Sequence, residues 1–389
     1  MSEKPYRVYR GGRVRGKAAT LPKPATGRRA DRDGRERYAG PGAIPRRRRR
    51  RWRRYVVLVI VLLLASVVAW AVASYLAVRS GVETANARLG ERARAALVPQ
   101  EGSLLTSETH ILLLGTDSAP TRARRGLRHT DSMIVVRTDP DHNRMAYLSI
   151  PRDLRVAVPG HGFAKVNVAY QIGGAPLAIR TVRSLGLPVN HVVIVDLQRF
   201  KTLIDAVGGV TIDVRRPIRA KFECPLKTSA DCANWRGWYF PKGRQKLRGR
   251  KALVFARVRK NLLNPSESDL TRGGRQQQVM QALTREMTSL GTLVRMPWIG
   301  DEVARPLATD LATGDLMILG WRRWRTGEDR TLHCRLGGTP SSFGYLLGEG
   351  GDNQRVISMF RGLSAPQPPA PGQPFAAGCR VGRALLAPQ

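Results

Sequence analysis

From His110 onward the apolar residues come in short runs that close on polar ones. HILLLGTD, SMIVVRTDP and RMAYLSIPRD each read as a strand, being rich in β-branched and other apolar residues before a polar end. VAYQIGGAPLAIRTVRSLG, residues 168–186, changes to helical spacing and stops at a glycine. HVVIVDL (191–197) predicts another strand, and LQRFKTLIDAVGG (197–209) a helix with a glycine C-cap. GVTIDV and ALVFARVR read as further strands. GGRQQQVMQALTREMTSLG (273–291) predicts a helix that begins just after Arg272, and TGDLMILGWRRW a later one. Strands alternating with helices favour a layered α/β domain over a sandwich or a helical bundle. The chain shows no internal repeat.

The N-terminal pattern is of another kind. Residues 55–78, YVVLVIVLLLASVVAWAVASYLAV, are 24 positions without a charge, and about 20 apolar residues cross the bilayer core as a helix. The run Arg46–Arg54, RRRRRRWRR, precedes it, which places the N-terminus in the cytoplasm and the rest outside. A cleaved signal has a shorter apolar core, so an uncleaved signal-anchor is the better reading. Residues 1–54, rich in Arg, Gly and Pro, cannot bury a core and read as a disordered basic tail attracted to anionic lipid. Residues 79–107 form a linker or stalk, 108–292 the folded domain, and 293–389 an extension packed on it or tied to it.

Charge changes the picture of partners. Lys and Arg number 66 against 29 Asp and Glu, a net +37. Residues 1–54 hold 20 of those cations and 4 of the acids, so the folded part is also strongly basic. An anionic partner is implied: membrane surface, nucleic acid or a phosphate-bearing substrate. The folded domain lies outside the membrane, which argues against nucleic acid. All four cysteines, Cys224, Cys232, Cys334 and Cys379, follow the span without any C-x-x-C spacing, so two disulfides are expected rather than zinc. Three pairings are possible; the most local, Cys224–Cys232 and Cys334–Cys379, is favoured. The latter would tie back the Pro-rich APQPPAPGQPF (365–375).

Chemistry gathers at strand ends, where α/β sheets place their sites. Asp117 closes the first strand, Asp131 opens the second, and Arg152 and Asp153 follow the third. Lys165 and Asn167 come next, then Arg257 and Arg259, two apart on a predicted strand and so facing one object. Arg272 and Gln276 are four apart about a helix start and share a face. Singly, an Asp at a strand end is a turn former and a lone Arg is solvated surface; Asp205, before Ala-Val-Gly-Gly, reads as structural. Together they describe a polyphosphate site. Mg²⁺ takes one or two carboxylates plus phosphate oxygens, a role open to Asp117 and Asp131, and arginines bind phosphate bidentately.

The motifs GTD (115–117), TDSM (130–133), SIPRD (149–153), KVNVAY (165–170), DAVGGV (205–210), LRGRKALVFARVR (247–259) and DLTRGGRQQ (269–277) together resemble the LytR-CpsA-Psr family over residues 108–290. The resemblance implies a three-layer α/β/α domain with a central mixed sheet, behind one transmembrane helix. It implies a membrane-anchored phosphotransferase that moves a glycopolymer from undecaprenyl-pyrophosphate to the C6 hydroxyl of a peptidoglycan sugar, leaving a phosphodiester. Without an acceptor, water would give a pyrophosphatase. In that likeness Asp117 and Asp131 hold Mg²⁺ (or Mn²⁺), Arg152 is the catalytic arginine, and Lys165, Arg257, Arg259, Arg272 and Gln276 bind the diphosphate. The lipid tail is expected in a hydrophobic pocket including Val168 and Val254. The family's R-x-D has here His129 before Asp131 with Arg128 displaced by one, so Arg128 or His129 takes that place. The insert CPLKTSADC between Cys224 and Cys232 has no assigned role. Ala- and Arg-rich composition points to an actinobacterial wall carrying arabinogalactan, teichoic acid or a similar polymer. The competing expectation is a membrane-tethered regulator or wall-binding module without turnover.

Overall fold

A computed structural model describes residues 47–117, 129–226, 228–264, 269–348, 351–371, 373 and 375–382. The chain divides into two compact units, Met1–Leu63 and Leu64–Gln389. Most of the predicted basic tail, residues 1–46, lies outside the described residues.

Helix α1, Arg47–Asn86, begins in the first unit and ends in the second. Its apolar side chains in the first unit, Leu58 and Leu62 among them, are exposed. Within it, Trp52–Asn86 is long and apolar enough to cross a membrane. The helix runs through part of the predicted stalk, because RSGVETAN (79–86) contains only one poor helix former, Gly81, worth about 1 kcal/mol. In the second unit Ser74, Val82 and Ala85 on one face of α1 are buried. The short α2, Glu91–Arg94, follows.

The second unit is built on a sheet. β1 (Thr109–Asp117), β2 (His129–Asp139) and β3 (Arg144–Ile150) are successive antiparallel neighbours. A ribbon of β4 (Arg155–Val158) and β5 (Gly162–Lys165) leads into α3 (Val166–Ser184), which kinks at Gly173 and Gly174 ahead of Pro176. β6 (His191–Asp196) pairs parallel to β1, and α4 (Leu197–Ala206) leaves it. Next come β7 (Val210–Val214), β8 (Ile218–Ala220), α5 (Ser229–Asn234), β9 (Trp238–Phe240) and β10 (Gly243–Leu247), which form two-stranded pairs β7–β10 and β8–β9 outside the main sheet. Helices α6 (Gly249–Arg257), α7 (Asp269–Met287) and α8 (Leu290–Ala304) follow. β11 (Leu307–Thr309), α9 (Thr313–Thr326), β12 (Thr331–Arg335), the pair β13 (Thr339–Pro340) and β14 (Leu346–Leu347), α10 (Asp352–Phe360) and β15 (Gly378–Val381) complete the unit.

The main sheet has seven strands in the order β11-β6-β1-β2-β3-β12-β15 and is mixed. Residues after 292, expected as an extension, supply β11, β12 and β15, so they belong to the sheet itself. Strand alternation divides the interior. Leu112, Leu114, Met133, Val135 and Leu148 face one core with α3 and α10. Leu113, Ile134, Tyr147 and Val193 face the other, with α4, α6, α7 and α8. Helix–sheet–helix is the three-layer arrangement that the family resemblance implies.

Two expectations need correction. ALVFARVR is not a strand but most of α6, followed by Val258 as its C-cap. A short, continuous apolar run does not distinguish a buried strand from a buried helix. What decides it is long-range: Asp205 Oδ1 accepts from Gly249 N at 2.9 Å, putting a carboxylate at the helix N-terminus. A Cβ on Gly249 would sit 2.2 Å from the Lys201 carbonyl, so only glycine lets α4 come this close. Asp205 is therefore structural, as read from its place before the turn. Helix α7 begins at Asp269, not after Arg272.

Both disulfides follow the local pairing, Cys224–Cys232 and Cys334–Cys379. Cys334 and Cys379 are direct partners in the β12–β15 register. The Pro-rich stretch is tied back accordingly, with Cys379 N donating to Gln367 O at 2.7 Å.

Candidate active site

Register gathers the predicted acids and Arg152 at one edge of the sheet. β1 ends at Asp117, paired with His129 at the start of β2. The register shifts between Gly115 and Thr116: Gly115 pairs with Ser132 and Thr116 with Thr130, leaving Asp131 as the extra residue of a β-bulge. Bulges of this kind end or re-aim a strand beside a site. A Cβ on Gly115 would lie 3.2 Å from Ser132 Cβ, so glycine suits the tight crossing. Ile150 pairs with Met133, which brings the end of β3, and Arg152 after it, to the same edge. The side chains of Asp117, His129, Asp131 and Arg272, and all of Arg128, lie outside the described residues.

Arg152 and Lys165 share one carboxylate. Arg152 Nε donates to Asp153 Oδ2 at 3.1 Å and Lys165 Nζ to Asp153 Oδ1 at 3.0 Å. The backbone holds them there: Asn167 N donates to the Arg152 carbonyl and Val166 N to that of Leu154. Lys165 also lies over the Tyr345 ring, 5.6 Å from its centroid. All three charged groups are partly exposed, so the pairs hold cations near one point more than they stabilise the fold.

The second group of bases sits where α6 meets α7. Arg257 ends α6 and pairs with Glu223, next to the Cys224–Cys232 loop. Arg259, past the C-cap, is exposed, so the two arginines do not share a strand face as predicted. Arg275, buried, donates to the Val258 carbonyl at 2.9 Å and so fastens α7 to the α6 C-terminus. Gln276 is buried beside it with Nε2 unpartnered, and Asn167 Oδ1 and Thr130 Oγ1 share that condition. Such atoms occur elsewhere among the described residues too, but these three lie on the elements that carry the predicted site. A buried polar atom without a partner costs about 1–3 kcal/mol until something meets it.

Sequence reasoning missed residues that reach this edge only through long-range pairing. Asp196 closes β6 opposite Thr116, and Arg335 closes β12 opposite Ser149. Arg335 is buried, which lowers its pKa, and it donates to the Ala376 carbonyl at 3.0 Å. Neither stands in a local motif; the signal available was only that Asp196 ends an apolar run, and Arg335 gave none.

A cavity of about 80 Å³ opens between the sheet and α7. Leu113, Ile134, Tyr147 and His333 form its floor, and Met280 and Thr284 its roof. Tyr147 and His333 stack at 5.3 Å, and burial pushes the His333 imidazole down to about 4. Neither Val168 nor Val254 lines it, contrary to expectation: Val168 is half-buried and Val254 is packed inside the helical layer.

Two carboxylate residues at adjoining strand ends, one in a bulge, suit a hard divalent ion that takes one or two protein oxygens and fills its shell with phosphate and water. Among the described residues no group of three or more His, Cys, Asp or Glu forms a metal cage.

A model of the LytR_cpsA_psr family matches residues 75–333. The chain is 34% identical over 205 residues to TagV of Bacillus subtilis, a polyisoprenyl-teichoic acid–peptidoglycan teichoic acid transferase, covering 52% of this chain and 49% of TagV. It is 34% identical over 218 residues to TagU of Oceanobacillus iheyensis, of the same description, covering 54% and 61%. The regulatory protein MsrR of Staphylococcus aureus is 34% identical over 190 residues, 48% and 51%. The matches thus span about half the length of TagV and MsrR. Among solved structures, B. subtilis TagV superposes with a TM-score of 0.53 and 27% identity over 66% of this chain and 97% of that one. TagT bound to LI-WTA gives 0.51 and 25% over 68% and 93%. With the family model covering most of the sheet and both groups of bases, the chain belongs to the LytR_cpsA_psr family.

Proposed function

We propose that this protein is a membrane-anchored phosphotransferase that moves a glycopolymer from a polyprenyl-pyrophosphate carrier to peptidoglycan. The observation that carries the reading is the register that brings Asp117, Asp131 and Arg152 to one sheet edge, on a sheet that also floors a cavity lined in part by Leu113, Ile134 and Met280. Its relatives TagV and TagU act as teichoic acid transferases on peptidoglycan.

In this reading Arg152 and Lys165 turn from Asp153 toward the diphosphate, joined by Arg257, Arg259, Arg272 and Gln276. Arg128 or His129 completes the corner beside Asp131. A peptidoglycan hydroxyl attacks the phosphorus next to the polymer. A P–O bond forms there, the bond to the lipid phosphate breaks, and the hydroxyl proton passes to a carboxylate of this edge. Arg152 neutralises the charge that grows on the departing phosphate. Asp117 and Asp131 would hold Mg²⁺ (or Mn²⁺), which when bound supplies charge neutralisation on the phosphate oxygens. Water in place of the hydroxyl gives pyrophosphatase turnover. The lipid tail lies against Leu113, Ile134 and Met280. Ligand pockets run to about 300–1,000 Å³, so a polyprenyl chain requires α7 to move away from the sheet. The basic tail is cytoplasmic, and the domain with its disulfides lies outside.

The test is full-length protein in vesicles with a polyprenyl-pyrophosphate-linked glycopolymer, peptidoglycan and Mg²⁺, with released polyprenyl phosphate measured. Arg152→Ala is expected to lower release about 100-fold or more. The fold should survive, because Asp153 keeps Lys165 as a partner. Wild-type protein that binds the lipid yet releases no phosphate would instead mark a regulator or wall-binding module.

A further inference from the structure

Helix α8 carries an apolar stripe that stands exposed among the described residues. Leu290, Val294 and Trp298 are 74%, 62% and 75% exposed, and residues four apart share a helix face. Three large apolar side chains in a row on one exposed face call for a partner.

The partner is indicated by what α8 lies against. Trp70, inside the uncharged stretch of α1, donates from Nε1 to the Val294 carbonyl at 3.0 Å. Further along, a Cβ on Gly300 would fall 2.9 Å from Val78, and one on Gly81 would fall 2.7 Å from the Asp301 carbonyl. Small residues thus let the two helices pack side by side and run the same way. From Trp70 to Val78 is about 12 Å of helix, so the first half of α8 lies level with the last turns of the apolar stretch.

Charge keeps the same register on both helices. α1 has no ionisable acid or base from Val56 to Val78 except the tyrosine at 75, and the next charge after that stretch is Arg79, paired with Glu83. α8 reads LGTLVRMPWIG before its first acid, Asp301, which sits beside Gly81. The single exception, Arg295, is turned away: its Nη2 donates to the Ala206 carbonyl at the C-terminus of α4. Both helices therefore become charged at one level.

We infer that the exposed face of α8 formed by Leu290, Val294 and Trp298 is embedded in the lipid leaflet next to the domain, alongside the end of α1. This rests on the reading that α1 crosses the membrane. Apolar side chains with a tryptophan near the water boundary are suited to that depth. The placement also brings the C-terminal end of α7, the roof of the cavity, to the bilayer, since only Thr288 and Ser289 separate the two helices. An apolar chain passing from leaflet to cavity then crosses little water.

The test uses full-length protein in phosphatidylcholine–phosphatidylglycerol vesicles. All native cysteines are paired, so an introduced one is the only free thiol. Val61→Cys in α1, Leu290→Cys and Trp298→Cys in α8, and Leu363→Cys after α10 are each labelled with an environment-sensitive fluorophore. Labels at 61, 290 and 298 are expected to lose most of their emission to nitroxide-bearing lipid and little to aqueous iodide, with the reverse at 363. Lipid quenching at 61, but iodide quenching at 290 and 298, overturns the α8 placement and leaves the span standing. Protection of 290 and 298 from both quenchers means that a protein or a second copy covers the face, which also overturns it. No lipid quenching at 61 sinks the span, and the inference with it.

Discussion

Neighbouring residues of β1 look into two different interiors. Leu112 is fully buried in the core shared with α3 and α10. Leu113, one residue on, is half-buried and borders the cavity beneath α7. The first face is filled by aliphatic side chains and closed by the buried Cys334–Cys379 disulfide. The second keeps a gap, floored by a stacked Tyr147–His333 pair. One face of the sheet is thus committed to holding the fold, which leaves the other free to open for a ligand.

The comparison is broken most directly at the disulfides. Replacing both Cys334 and Cys379 with alanine is expected to cost about 4 kcal/mol, and replacing Cys224 and Cys232 about 2.5, because the bridged residues are 45 and 8 apart. Urea unfolding of the two double variants measures the gap; equal losses would mean the packed face does not depend on its tie. Next in size is truncation on β1. Leu112→Ala should cost about 3 kcal/mol and Leu113→Ala about 1, since the second removes side chain that already borders empty space. If the two came out alike, the faces would be equally packed.

Acid sharpens the picture, since each face carries a histidine whose burial lowers its pKa. Burial is the leading cause that pushes both His110, edge-on to Phe360, and His333, in the cavity floor, down to about 4. Their folded values lie below the unfolded one near 6.5, so between pH 6.5 and 4 the unfolded chain takes up protons that the native state refuses. Stability should fall as pH drops through that window, by up to ~3 kcal/mol per histidine, and level off below it. His333→Gln is expected to remove one share of this slope in a pH series of melting curves; an unchanged slope would show that His333 is solvated. The smallest effect belongs to the cavity rim. Arg285 pairs with Glu328 at 3.0 Å with both side chains well exposed, and Arg285→Ala should change stability by less than about 0.5 kcal/mol. A loss several times larger would place that pair within the packed structure.

The strands of the sheet that come early in the chain were legible because each is a short apolar run that closes on polar residues: β1, β2, β3 and β6 each show it. The long apolar helix and the local disulfides were legible for equally local reasons. What the sequence hid depends on distant partners. Whether ALVFARVR becomes helix or strand turns on Asp205, which caps it from another helix. α8, with Pro297 inside and apolar residues on its outer face, lacks the pattern of a buried helix, although Ser289 caps its start. At the site, the motifs picked out Arg152, Lys165 and Gln276, yet Asp196 and Arg335 reach the same edge only through sheet register. The bulge at Asp131 is likewise a property of two strands, invisible in either one.

The disulfide across β12 and β15 also orders events during biosynthesis. β12 is made well before its outer neighbour, so its free edge, and the thiol of Cys334, must wait for the later stretch to emerge. A nascent polypeptide stalled short of Gly378 should therefore offer Cys334 to an alkylating reagent, and release of the finished product should hide it. The latch can close only after the rest of β12's neighbours are made, which makes late truncations a hazard to this outer edge rather than to the earlier β-pairings.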